Sequence, residues 1–306
     1  MKRKLIFLIN PISGTSKKDR IRQQIDAVCR EYQFGYEILD TIADGNYEFL
    51  KRRIQQEGIT DIIVCGGDGS VSSIAGALLN VPVNIGIIPM GSGNGLARAA
   101  AIPVTPTDAL RVIMQGYTEP VDGFYINGKF SCMLAGIGFD AQVAHDFSHQ
   151  KTRGLTTYIK LSAINFMKAH PYHFRIHSDD SLIDTKAYFI SIANSNQFGN
   201  NFTIAPRASL KDGLLDIVIV KDMPKLLLPF SILYQVTGIN TLKKIDELLE
   251  SANILYFQAA SLEIDNAEGA LLHVDGDPCP SASAFSIKVL PKAFRLIQPE
   301  PAAAIV

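Results

Sequence analysis

Three short glycine-rich turns stand out in the first hundred residues: Asn10-Pro11-Ile12-Ser13-Gly14, Gly66-Gly67-Asp68-Gly69-Ser70 and Gly91-Ser92-Gly93-Asn94-Gly95. Glycine lets a backbone approach a ligand closely, and the N–H groups that open a helix can hold phosphate oxygens. One such turn is equally well explained by tight-turn geometry, but three of them, each following a strand of one sheet, point to a phosphate-bearing ligand. No stretch fits G-x-x-x-x-G-K-[ST], which excludes a P-loop. Two partial dinucleotide fingerprints occur, at Gly91 to Gly95 and at Gly136-Ile137-Gly138-Phe139-Asp140-Ala141. Leu96 stands where the first needs a small residue, and the second lies outside a βαβ pattern, so both are weak.

The elements that must carry these turns alternate between two periods, the mark of βα units in a mainly parallel sheet. Lys4 to Ile9, Tyr36 to Leu39, Asp61 to Cys65 and Asn84 to Pro89 read as strands. Between them, Ile21, Ile25, Val28 and Tyr32 recur at helical spacing, as do Tyr47, Leu50 and Ile54, and Ser70 to Leu79 forms a third helix. Thr107 is expected to N-cap a further helix through Met114. In such a sheet the turns at the carboxyl ends of the strands face one crevice.

After Gly116 the pattern changes. Asn127-Gly128 between two β-prone runs is a strong hairpin signal, because a type I′ turn needs positive φ at both central residues. Strands are expected at Tyr172 to His177, Lys186 to Ala193, Leu215 to Val220, Ile254 to Ala259, Leu262 to Asp265, Leu271 to Val274 and Phe285 to Leu290, with helical patches at Leu155 to Lys168 and Leu226 to Glu250. The expected organisation is an α/β domain over residues 1–122 and a β-rich domain from 123 onward.

Composition narrows the function. With 29 Lys+Arg against 30 Asp+Glu the net charge is -1, which gives no whole-molecule field for nucleic acid. The apolar start is cut by Asn10-Pro11, and the longest later run, Leu226 to Leu233, is broken by Pro229, so neither a signal peptide nor a membrane span of about 18 to 20 residues is expected. Cys29, Cys65, Cys132 and Cys279 lie far apart with no C-x-x-C, as reduced thiols in a cytoplasmic protein would. Among the histidines, His145 and His149 at i, i+4 read as a solvated pair, and His170, His173 and His177 carry no evident chemistry.

The second turn resembles the Gly-Gly-Asp-Gly-Thr signature of diacylglycerol, sphingosine and ceramide kinases, NAD kinases and phosphofructokinases. Asn10-Pro11-x-Ser13-Gly14 and Pro89-x-Gly91-Ser92-Gly93-Asn94-Gly95-Leu96-Ala97-Arg98 are similar to the lipid-kinase branch, the latter closer to its sphingosine/ceramide form. Gly136-Ile137-Gly138-Phe139-Asp140-Ala141, Asp212-Gly213-Leu214-Leu215-Asp216 and Val274-Asp275-Gly276-Asp277 resemble later family landmarks in the expected order. The chain is identified on these six motifs as resembling the diacylglycerol kinase/sphingosine kinase-like family.

That resemblance implies a Rossmann-like α/β domain followed by a β-sandwich over 123–291, whose last strand returns so that 292–306 joins the first domain, with ATP in the cleft between and a lipid entering near the second domain. It implies ATP- and Mg²⁺-dependent transfer to a hydroxyl of a diacylglycerol- or sphingoid-like lipid. By position, Asn10, Pro11, Ser13, Gly14, Thr41, Gly66, Gly67, Asp68, Gly69, Ser70, Ser92 and Asn94 would line the ATP site, Thr41 only by its place after the second strand. Two carboxylates compete for the base: Asp68, where the sphingosine-kinase-like branch assigns it, and Asp277, where bacterial relatives have the Glu of Asp-Gly-Glu. Asp277 is favoured, with Asp68 orienting Mg²⁺ or nucleotide; helix capping for Asp68 and an ordinary turn for Asp277 are the plainer alternatives. A structural Mg²⁺ site is implied at Asp212 with the carbonyls of Ser209 and Leu214, against an equally good reading of Asp-Gly as a turn. Peripheral, transient contact with the inner membrane face follows from a lipid substrate; Lys151-Thr152-Arg153 with Arg98 and Lys211, or Leu226 to Phe230, could make it, though solvation and core packing respectively explain them as well. The oligomeric state stays open, a homodimer included, and NAD kinase or a non-catalytic nucleotide- or lipid-binding protein are the rival readings.

Overall fold

The computed structural model describes residues 3–11, 18–42, 44–150, 160–162, 164–165, 168–178, 181–197, 203, 205–222 and 254–301. The chain divides into two compact units, Met1–Asp122 with Lys292–Val306, and Gly123–Pro291.

The first unit runs β1 (Lys4–Ile9), α1 (Lys18–Glu31), β2 (Gly35–Asp40), α2 (Glu48–Glu57), β3 (Asp61–Gly66), α3 (Asp68–Ala77), β4 (Asn84–Pro89), α4 (Gly95–Ala99) and α5 (Pro106–Gln115), and β5 (Thr118–Ile126) then leads out of it. β1 lies between β2 and β3, and β4 follows β3, all parallel. Leu5, Phe7 and Ile9 of β1 pack with Ile21, Ile25 and Cys29 of α1 and with Leu110 and Ile113 of α5. Ile6 and Leu8 point the other way and are equally buried, as a two-sided parallel sheet requires. Two expectations shift here. Cys29 takes the inner helical position while Tyr32, past the end of α1, is exposed. Thr105, not Thr107, precedes α5, because Pro106 supplies the fixed φ of its first turn.

The second unit takes up β5 and adds β6 (Lys129–Ser131), β7 (Leu134–Gly138), α6 (Phe139–Ser148), β8 (Tyr172–Ser178), β9 (Ser181–Ala193), β10 (Leu215–Lys221), β11 (Ile254–Ala259), β12 (Ser261–Asp265), β13 (Leu272–Val274), β14 (Asp277–Cys279) and β15 (Ala284–Ile297). Its pairings are antiparallel, with β9 at the centre bonded to β7, β8 and β10. The β5–β6 hairpin turns through Asn127 and Gly128 at φ 47° and 81°, as a type I′ turn should. Phe124, Ile137, Phe174, Ile190, Ile217, Ile264 and Phe285 form its core. β15 does not stop at Leu290: it continues through Pro291, and Arg295 and Leu296 pair in parallel with Asn84 and Ile85 of β4. Residues 155–168 are helical where described, and 226–250 lie outside the described residues.

At the amino ends of the first sheet's strands, Asp61 is buried and binds Arg3 Nε at 3.0 Å, Asn84 Nδ2 at 3.0 Å and the Thr60 hydroxyl. Arg3 also donates from Nη1 to the Ile113 carbonyl at 2.6 Å, satisfying the end of α5. This cluster locks β1, β3, β4 and α5 together from the end opposite the glycine turns. Removing one partner of a buried ion pair leaves the other uncompensated, so Asp61→Ala should lower unfolding free energy by about 3 kcal/mol, read as a reduced urea midpoint at unchanged slope. A midpoint within error of the parent would show that the cluster does not hold the sheet.

Candidate functional site

The first unit brings the glycine turns to one edge. β1 has β2 on one side and β3 on the other, so the sheet's switch point lies between β1 and β3, and ligands in such sheets bind at that place. Asn10, just past β1, donates from Nδ2 to Ser70 Oγ at 2.9 Å across this gap. Thr41, just past β2, donates its N–H to the Ile9 carbonyl at 2.9 Å. Gly67 is the N-cap of α3 and is extended, so the N–H groups of Asp68, Gly69 and Ser70 open that helix. Ser92 is exposed at the tip of the third turn, and Pro11 is exposed beside Asn10. Ser13 and Gly14 lie outside the described residues.

The second and third turns meet backbone to backbone. A Cβ on Gly91 would stand 2.6 Å from the Gly67 Cα, and one on Gly67 would stand 3.1 Å from the Gly91 Cα. Asn94, left-handed at φ 52°, closes the third turn on itself: its Oδ1 accepts from Gly91 N–H and its Nδ2 donates to the Gly91 carbonyl, both at 2.8 Å. Asp68 then joins the two turns. Its carboxylate accepts from Gly95 N–H at 2.9 Å and Leu96 N–H at 3.2 Å. It therefore caps a helix, but α4 rather than its own α3, because Asp68 is already the first residue inside α3 and Gly67 holds the N-cap place. Burial pushes the Asp68 carboxyl up from its ordinary value, against the pull of the amides of Gly95, Leu96, Asp68 itself and Asn94.

In the second unit, Asp277 opens β14 directly after a two-residue turn, Asp275 at φ 54° and Gly276 at φ 83°, and pairs with Val274. The residue is exposed, and no hydrogen bond to its carboxylate is found among the described residues. Beneath it lies a pair that the sequence reading did not single out. His273 is fully buried and Asp140 nearly so; Nε2 of the one faces Oδ2 of the other at 3.4 Å, and His273 Nδ1 accepts from Gly276 N–H at 3.2 Å. The available signal was a histidine inside the apolar run Leu271-Leu272-His273-Val274, next to an Asp-Gly turn.

The expected metal residues adopt a turn. Asp212 Oδ1 accepts from Leu214 N–H at 3.1 Å, closing an Asx turn, and Oδ2 lies 3.4 Å from Gln258 Nε2; Ser209 Oγ accepts from Lys211 N–H at 3.4 Å. Nearby, buried Asp216 binds the Tyr256 hydroxyl and Gln258 Nε2. No group of three or more His, Cys, Asp or Glu side chains could hold a metal among the described residues. His145 and His149 stack on the surface, His173 pairs with Asp184, and Lys151 to Arg153 and Leu226 to Phe230 lie outside the described residues. All four cysteines are free, and burial pushes the Cys29 thiol up to about 11, away from nucleophilic use.

Residues 4–126 match the family model of the diacylglycerol kinase catalytic domain, and residues 134–298 match that of the YegS C-terminal NAD kinase beta sandwich-like domain. The chain belongs to the diacylglycerol kinase-like lipid kinases of the YegS type. The "Probable lipid kinase YegS-like" protein of Chromohalobacter salexigens is 27% identical over 296 residues, 94% of this chain and 92% of that one. Its namesake in Pseudomonas aeruginosa is 27% identical over 89% of this chain and 88% of its own length. A crystal structure titled as a diacylglycerol kinase from Bacillus anthracis superposes with a TM-score of 0.77, covering 99% of both chains at 22% identity, which shows the shared fold. In this lipid kinase family member the α/β domain precedes the β-sandwich domain, as the sequence led us to expect.

The raised Asp68 carboxyl has a measurable sign. The folded chain holds this proton to higher pH than the unfolded chain, so ionising Asp68 subtracts from stability as pH rises from about 4 upward. Asp68→Asn cannot ionise. The Tm of the variant relative to the parent should therefore move in the variant's favour between pH 4 and pH 7. A difference in Tm that stays constant over that range would contradict the burial of this carboxyl.

Proposed function

We propose that the chain transfers the γ-phosphoryl group of ATP to a hydroxyl of an amphiphilic lipid, diacylglycerol- or sphingoid-like. The observation that carries this is the convergence of the turns after β1, β3 and β4 on one switch point, in a member of a lipid kinase family. Phosphoryl transfer asks a protein chiefly for positioned donors and charge neutralisation. The N–H groups opening α3, with Asn10, Ser70 and Ser92, supply donors for the phosphates, Asn94 shapes the turn that carries Ser92, and Thr41 borders the same edge. Residues 1–122 with 292–306 thus act as the nucleotide-binding domain, and 123–291 as the lipid side.

Mg²⁺ is commonly held by one or two carboxylates together with substrate phosphates, and Asp68, the carboxylate that joins the second and third glycine turns, is the group of this edge that fits that use. When bound with ATP, the ion would neutralise charge on the phosphates. Asp277 serves as proton acceptor for the lipid hydroxyl, since its carboxylate is exposed and uncommitted among the described residues, whereas that of Asp68 is buried and tied to backbone amides. The Asx turn at Asp212 supports the structural over the metal-binding reading of that segment. No described helix is long and apolar enough to cross a membrane, and a lipid substrate would be met by peripheral contact.

The test is transfer of labelled phosphate from ATP with Mg²⁺ to a detergent-dispersed panel of diacylglycerol, monoacylglycerol, sphingosine, ceramide and NAD. A labelled lipid is expected, with Asp277→Asn lowering kcat by about 100-fold or more, as loss of a general base does. Label on NAD alone, or no transfer to any acceptor despite ATP binding, would overturn the reading.

A further inference from the structure

We propose that His273 and Asp140 are positioning residues that fix the place of Asp277, a step that rests on the reading of Asp277 as proton acceptor. Three elements are shaped around the pair. His273 is the middle residue of β13, Asp140 is the second residue of α6, and Gly136 of β7 lies opposite His273 in register. A Cβ on Gly136 would overlap both the Asp140 carboxylate and His273 Nε2, so the absence of a side chain there makes the room the pair occupies.

The hydrogen bonds run in one direction. Asp140 Oδ1 accepts from the Ala141 N–H at 2.8 Å, which leaves Oδ2 to face His273 Nε2. A carboxylate can only accept, so it selects the tautomer with the proton on Nε2. Nδ1 is then an acceptor, and it takes the Gly276 N–H at 3.2 Å. Gly276 is the second residue of the left-handed turn, and Asp277 is the next residue along the chain. On the other side of the turn, Asp275 Oδ1 accepts from the Ser131 hydroxyl at 2.6 Å and the Leu134 N–H at 3.2 Å, and the Asp275 N–H donates to the Leu134 carbonyl at 2.9 Å. The turn backbone is thus held at both residues before the chain reaches Asp277. A short exposed strand with Pro278 at its centre can donate no ladder bond from that residue, so its start must be fixed by the turn. Small misplacements of a reacting group cost large factors in rate.

The two nitrogens can be separated by substitution. His273→Asn puts an amide oxygen near the Nδ1 position and can still accept from Gly276; His273→Gln reaches toward the Nε2 position and can keep only the Asp140 contact. With the ATP-to-lipid transfer assay, His273→Gln should have a kcat about tenfold or more below His273→Asn, with KM for ATP in both within about twofold of the parent. Equal kcat in the two variants, with Asp277→Asn inactive, removes the positioning proposal alone. An Asp277→Asn chain as active as the parent removes the acceptor reading and the proposal with it. Should both His273 variants fail to fold, amide hydrogen exchange of the unaltered chain decides: Gly276 N–H is expected to exchange about tenfold or more slowly than a free peptide, and exchange at the free-peptide rate overturns the proposal.

Discussion

The contact between Gly67 and Gly91 is the constraint on which the first unit's edge depends. Two chain segments 24 residues apart can come this close only because neither carries a side chain, and the Asp68 carboxylate then ties the second turn to the start of α4. The cost of holding a carboxylate there is offset in part by amide donors. Strands buried on both faces give this edge a rigid base, and the Asp61 cluster fixes their far ends. The glycine turns thus take a geometry dictated by a scaffold that cannot slide.

The second unit solves a different problem. The exposed carboxylate of Asp277 stands on a three-residue strand that contains proline, which gives little ladder support. The structure compensates with a left-handed turn pinned at both residues and with buried polar groups where apolar ones would pack as well. Buried polar groups bring positional definition at a cost in desolvation. Asp216 with Tyr256 and Gln258 beside the Asp212 turn is a second instance, a buried carboxylate satisfied by side-chain donors.

The alternation of β1, β3 and β4 with their helices was legible because parallel strands buried on both faces read as unbroken apolar runs. The Asn127-Gly128 hairpin was legible because only those residue types tolerate positive φ in succession. Asp68 stood out by its place in a glycine turn, yet its partners on α4 did not, since a contact across 27 residues leaves no local trace. His273 was passed over for the same reason: its partner Asp140 is 133 residues away, and the room for both comes from a glycine on a third element. β14 was missed because Pro278 argues against a strand, and β15 ran longer than expected because Pro291 interrupts the pattern without ending the strand.

In this reading the phosphates are held at the switch point between β1 and β3. A crystal structure of the chain with Mg²⁺ and a non-hydrolysable ATP analogue tests it most directly. Phosphate oxygens are expected within hydrogen-bond distance of the N–H groups that open α3 and of the Asn10 and Ser70 side chains. A triphosphate bound elsewhere, with those amides facing solvent, would contradict it.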